Sequence, residues 1–155
     1  MTSSASYTTA PARDAGPATR LPAWLPGATH ALLRVLTGAL FMQHGVQKLF
    51  GLLANPDRPW TGAPPAFSMM WVAGVLETFG GLLIVLGLFT RPVAFLLAGQ
   101  MAVAYFMAHA SRSFWPVLNG GENTVLFAFV FLYLFATGAG PFSADAALAR
   151  RRGAR

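Results

Sequence analysis

Seven side chains stand out as able to do chemistry: Arg34, His44, Lys48, Glu77, Tyr105, His109 and Glu122. All lie in or beside stretches that are otherwise apolar, where an ionised residue commonly costs ~2.5–3.5 kcal/mol on insertion scales. His, Lys and Tyr can donate hydrogen bonds to a carbonyl oxygen, and Glu can take up or release a proton. Other chemistries are excluded. The chain has no cysteine, which removes disulfide exchange, thiolate nucleophiles, thiolate-held zinc and Cys-ligated iron–sulfur clusters. It carries no nucleotide-binding motif, zinc signature or catalytic triad.

Each of the seven also has a plain structural reading. Lys48 and Arg34 can snorkel to opposite interfaces, and His109 and Glu122 can be ordinary boundary residues. His44 can bond a backbone carbonyl in a core. Glu77 is harder to place this way, because it lies deepest and cannot easily reach water. It is either protonated or paired with Arg34, His44 or Lys48. Such a pair can serve helix register alone.

The elements that must position these groups follow from composition. The 155 residues are 55% hydrophobic and 10% charged, against about 25% charged in soluble domains. A water-facing surface cannot be built from that, so the chain reads as an all-α integral membrane protein. Its net charge of +6 comes from scattered Lys and Arg without a basic stripe, so no nucleic-acid partner is expected. Four apolar segments, at about 30–50, 69–89, 93–110 and 124–140, approach the ~20 residues that cross a bilayer. They predict a four-helix bundle of antiparallel, up-down topology. Residues 1–28 read as a disordered tail without a signal peptide, 29–143 as the membrane domain and 144–155 as a basic tail. Thr90 is expected to cap the third helix, with Arg91 and Pro92 opening it after a tight turn.

Orientation follows from the Lys/Arg bias of the flanks. Arg13, Arg20, Arg91, Arg150, Arg151, Arg152 and Arg155 fall on one side, and Arg58 and Arg112 on the other. Both termini are therefore expected in the cytoplasm. At about 100° per residue, Arg34, Phe41, His44 and Lys48 share an arc of roughly 80° facing the bundle. Gln43 and Gln47 point away, toward a neighbouring helix or the second chain of a homo-oligomer. Gly74 and Gly81 flank Glu77 on its own face and permit close helix approach. Ala94, Ala98 and Ala102 form a small-residue ridge on the third helix, expected to bring it close to the second. In the fourth, Glu122, Leu126, Phe129, Tyr133 and Gly140 align. By helical rise, His44 lies about 9 Å and Glu77 about 12–15 Å below the outer end. The six groups other than Arg34 thus converge on the outer half of the bundle, and depth favours Arg34 or His44 as the partner of Glu77.

The segments HGVQKLFG, GVLETFGGLLIVLGLFTRPVA and AYFMAH…FWPVLNGGE resemble the DoxX family of small four-helix membrane proteins. The resemblance runs from about Leu33 to Ser143. It includes Arg34, the His44-Gly45-x-x-Lys48 step, Glu77 ahead of Gly80-Gly81, the turn into Arg91-Pro92, and Gly120-Gly121-Glu122. It implies a bacterial-type inner-membrane location. Some relatives are linked with sulfur-compound oxidation that feeds quinone, and others with membrane oxidoreductase complexes that counter oxidative stress. The expected function is thus a membrane subunit of a quinone-linked or redox-stress oxidoreductase. No intrinsic cofactor or metal is expected, and a quinone-type ligand would lie against His44, Lys48, Tyr105 and Glu77. Partner oxidoreductase proteins would then supply the electrons. Two alternatives stay open: a non-catalytic scaffold that recruits partners, and a small-solute or proton pathway. A haem between His44 and His109 is disfavoured by their different depths.

Overall fold

The computed structural model describes residues 21–53, 56–57 and 59–153, and all regular structure among them is helical. Helix α1 spans Leu25–Phe50, α2 Met69–Leu86, α3 Thr90–His109, α4 Glu122–Thr137 and α5 Ala144–Gly153. A single helical turn, Pro116–Asn119, precedes α4. Among the described residues three helices, α1 to α3, are long and apolar enough to cross a membrane, while α4 is shorter at 16 residues. Most of the tail expected to be disordered, and Arg58, lie outside the described residues.

The helix ends follow local chemistry. α1 starts five residues before the expected His30, because Pro26 in its first turn has a fixed φ and no N–H to leave unsatisfied. It stops at Gly51, whose φ of 67° places it in the left-handed region. Ser68 caps α2 by accepting the Trp71 N–H at 3.3 Å. Gly87, at φ 66°, ends it three residues before the expected stop. Thr90 is not the cap of α3. The cap position belongs to Phe89, at φ 50°, and α3 begins at Thr90 itself. The free N–H groups of Phe89 and Thr90 are taken instead by the Asp145 carboxylate, at 2.8 and 3.0 Å. A charged acceptor from α5 has replaced the local hydroxyl.

α1 packs along α2, and α3 along α4. Contacts between α1 and α2 run in opposite senses along the chain: Arg34 meets Ile84 and Val85, Gly38 meets Gly81, and Gly45 meets Gly74 and Thr78. Paired glycines let these two backbones touch. A Cβ on Gly38 would stand 2.8 Å from the Gly81 oxygen, and one on Gly81 2.9 Å from the Gly38 oxygen. Close glycine approach thus joins α1 to α2, not α2 to α3 as the alanine ridge suggested. Ala94 of that ridge is buried, but Ala102 is exposed, because α3 turns its buried face to α4. In α4 the aligned Leu126, Phe129 and Tyr133 face outward, while Phe131 and Leu134 are buried. α4 is so uniformly apolar that periodicity carries little information about its inner face. The core comprises Phe41, Ile84, Ala94, Leu97, Met101, Phe131 and Leu134, with Phe41 and Phe131 edge to face at 4.8 Å.

A substitution separates these glycines. Gly45→Leu should lower the melting temperature in detergent sharply, since any Cβ there collides with Thr78 and the Gly74 carbonyl. Gly99→Ala should leave melting unchanged, because its Cβ would meet nothing within 4 Å. Equal melting of the two variants would refute the close α1–α2 contact.

Candidate ligand-binding site

The short turn between α2 and α3 keeps the two helices adjacent at one end, called here the turn end. Toward the other, the loop end, they part. A cavity of about 690 Å³ opens there, between α2 and α3 and against α1 and α4. Its volume falls within the 300–1,000 Å³ range of small-molecule sites. Met69, Met70, Val72, Leu76, Leu96, Val103 and Met107 make its walls apolar. His44, Lys48, Glu77, Gln100, His109, Asn123 and Thr124 supply its polar groups.

Glu77 anchors the polar set. It sits in a wide helical turn, Leu76–Gly80, where the backbone bonds shift toward an i→i+5 pattern. A second wide turn, Tyr105–His109, lies on the opposite wall and is closed by the Ala110 N–H on the Tyr105 oxygen at 2.9 Å. Such turns occur frequently at functional sites. The Glu77 side chain is only 4% exposed. Lys48 Nζ donates to both its oxygens, at 2.5 and 2.7 Å, and Gln100 Nε2 donates to Oε1 at 3.2 Å.

The partner of Glu77 is therefore Lys48, not Arg34 or His44. Side chains lean toward the N-terminus of their own helix. Lys48 begins beside Gly74, 3.4 Å from where a Cβ there would stand, and leans deeper along α1. Glu77 leans back along α2 toward it. Arg34 is out of reach, level with Ile84, seven residues or about 10 Å further along α2.

The other candidates divide. His44 lies on the cavity with its ring edge on Phe127, centroids 6.2 Å apart, and has no hydrogen-bond partner among the described residues. His109 also lines the cavity. Its Nδ1 is 3.1 Å from the Asn119 oxygen and its Nε2 3.4 Å from Thr124 Oγ1. Tyr105 does not line it. Its hydroxyl donates to the Phe114 oxygen at 2.6 Å and accepts from Asn119 Nδ2 at 3.2 Å, which fastens the loop before α4. Glu122 is exposed in the first turn of α4 and does not line the cavity. Arg34 is fully enclosed at the turn end and donates to the oxygens of Ile84, Val85 and Phe142 at 2.6, 2.5 and 2.8 Å.

Gln100 is the member that residue-type reasoning missed. A signal was present: it is the only polar residue between Val93 and Ala104. Its amide orientation follows from its neighbours, since Nε2 faces two acceptors, Glu77 Oε1 and the Ala73 oxygen. Among the described residues no three His, Asp or Glu side chains gather as a metal site. Chemically, the cavity offers a part-buried ion pair with one ammonium N–H to spare, and an unengaged imidazole four residues away on the same helix. These groups can hold a carbonyl or hydroxyl oxygen and exchange a proton with it.

An apolar helical chain with this polar floor is a small membrane protein, and comparison places it further. The chain belongs to the DoxX family, whose model matches residues 29–110. It is 39% identical over 120 residues to a Haemophilus influenzae protein named "Uncharacterized protein", covering 74% of this chain and 87% of that one. It is 31% identical over 107 residues to a Bacillus subtilis protein named "Putative oxidoreductase CatD", covering 69% of this chain and 77% of that one. No solved structure matches it.

Proposed function

We propose that this DoxX protein is a membrane subunit of a quinone-linked oxidoreductase complex, holding a flat, lipid-soluble, quinone-type molecule in the cavity between α2 and α3. The observation that carries the reading is the Lys48–Glu77 pair at the floor of an otherwise apolar cavity. Apolar walls favour a ligand drawn from the bilayer. Lys48 and His44 are donors for a quinone carbonyl, and Glu77 is a proton reservoir behind Lys48. The name of the Bacillus subtilis relative supports a redox role.

The same reading takes α1 to α4 as four spans of an antiparallel, up-down bundle in a bacterial-type inner membrane. The 16 residues of α4 extend about 24 Å, and its packing along α3 argues for a fourth span. The arginines at the turn end argue that it, with both termini, is cytoplasmic. Arg34 and the core from Phe41 to Leu134 fill the bundle beyond the cavity, which argues for a closed pocket over a solute pathway. One observation favours the scaffold alternative: Glu77 is already satisfied by Lys48 and Gln100 without any ligand.

Mass spectrometry of lipid-soluble molecules carried by the purified protein decides between them. A quinone-type molecule near one per chain in wild type, and strongly depleted in Lys48→Met, is the expected result. No such molecule, together with no binding of an added short-tailed quinone, would leave the scaffold reading in its place.

A further inference from the structure

The two ends of the molecule differ in charge. At the turn end, Arg91, Arg150, Arg151 and Arg152 are all exposed. The acid beside them, Asp145, has both oxygens engaged by the Phe89 and Thr90 N–H groups. At the loop end the described charges are mixed, with Lys48 on Glu77 and with Arg112, Asp57 and Glu122. Apolar side chains stand among the arginines: Trp24, Phe89, Phe142 and Leu148 are all exposed there. On α5, Leu148 shares a helical face with Arg151 and Arg152, three and four positions on.

These arginines are presented on a fixed element. Ser143 Oγ caps α5 by accepting the Ala146 N–H at 3.2 Å. The Asp145 N–H donates to the Gly87 oxygen at 2.9 Å, and Arg34 grips the Phe142 oxygen just before the helix. Between α5, the start of α3 and the end of α4 lies a cleft of about 480 Å³, with Arg91, Thr90, Thr137, Ser143 and the engaged Asp145 on its walls.

We infer that the turn end, from the Arg91 cleft to the Arg150–Arg152 face of α5, is a docking surface for anionic phospholipid headgroups. Guanidinium groups match phosphate oxygens bidentately. The interleaved aromatic and leucine side chains fit the boundary where acyl chains meet headgroups, and an acidic soluble partner would not require them. Each arginine near an anionic surface strengthens binding severalfold, so three together imply at least roughly a tenfold preference over a zwitterionic surface. The inference is independent of what the cavity between α2 and α3 holds.

The test is native mass spectrometry of the purified full chain with equimolar phosphatidylglycerol and phosphatidylcholine of matched acyl chains. Wild type is expected to retain phosphatidylglycerol at least roughly tenfold better. The combined variant R150Q/R151Q/R152Q should bring the ratio close to one, while Arg112→Gln at the loop end should leave it unchanged. Should the triple variant fail to fold, salt decides: the wild-type preference must fall as ionic strength rises. No headgroup preference in wild type, a preference kept by a folded triple variant, or one indifferent to salt would overturn the inference. Displacement of the lipid by equal concentrations of inorganic phosphate or polyglutamate would overturn it equally, by showing a site for free anions or for acidic protein.

Discussion

Glu77→Ala is expected to destabilise the protein by about 3–5 kcal/mol, because it strands a charged lysine over an apolar cavity. The Lys48 side chain is 30% exposed toward that cavity, which places the loss nearer the lower figure. Glu122→Ala, at an exposed helix start, should cost far less. Glu77→Gln keeps the shape and part of the bonding but removes the charge. If it melts close to wild type yet loses a bound quinone-type molecule, Glu77 serves the ligand. If it melts and binds as wild type, its charge is dispensable and the pair is a packing device. The double variant K48M/E77Q should recover much of the stability lost in Glu77→Ala, since apolar groups of similar volume often replace buried pairs at little cost. Detergent unfolding curves for the set decide this. A Glu77→Ala protein as stable as wild type would mean that the pair contributes nothing.

Much of this architecture was legible in the residues, and the exceptions share a cause. The apolar stretches located the helices, and the shared arc of Arg34, Phe41, His44 and Lys48 identified the inward face of α1: Arg34 and Phe41 are buried, and Lys48 meets Glu77. Pairing was not legible. Depth along a helix axis ranks Arg34 and His44 ahead of Lys48, but side chains lean toward their own N-terminus, and that tilt decides contact between helices running in opposite senses. The wide turns at Leu76–Gly80 and Tyr105–His109 carry no residue signature, and they shift the register of everything beyond them. Asp145 caps α3 from 55 residues away, and no local pattern encodes such a partner.

Arg34→Ala is expected to be the second large loss, for a different reason. Arg34 works as a clamp of the turn end. Its Nη1 donates to two carbonyls in the last turn of α2, Val85 and Ile84, the second of which also accepts the Gly87 N–H at 3.1 Å. Its Nη2 donates to Phe142, the residue that leads into α5. Charge-assisted bonds to carbonyls contribute about 1.5–3 kcal/mol each and are not additive, so a total on the order of 4 kcal/mol is expected. Truncation also leaves a void where a fully enclosed guanidinium lay. Arg34→Lys should recover only part, because one ammonium cannot reproduce the fork across both helix ends. The effect should be local. Arg34 and Lys48 are 14 residues apart, about 21 Å along α1. The folded fraction of Arg34→Ala should therefore retain a cavity ligand as wild type does, while proteolysis after Phe142 accelerates because α5 has lost an anchor. Melting at the wild-type temperature, or ligand loss without faster cleavage there, would show that Arg34 is not the clamp its three carbonyl contacts describe.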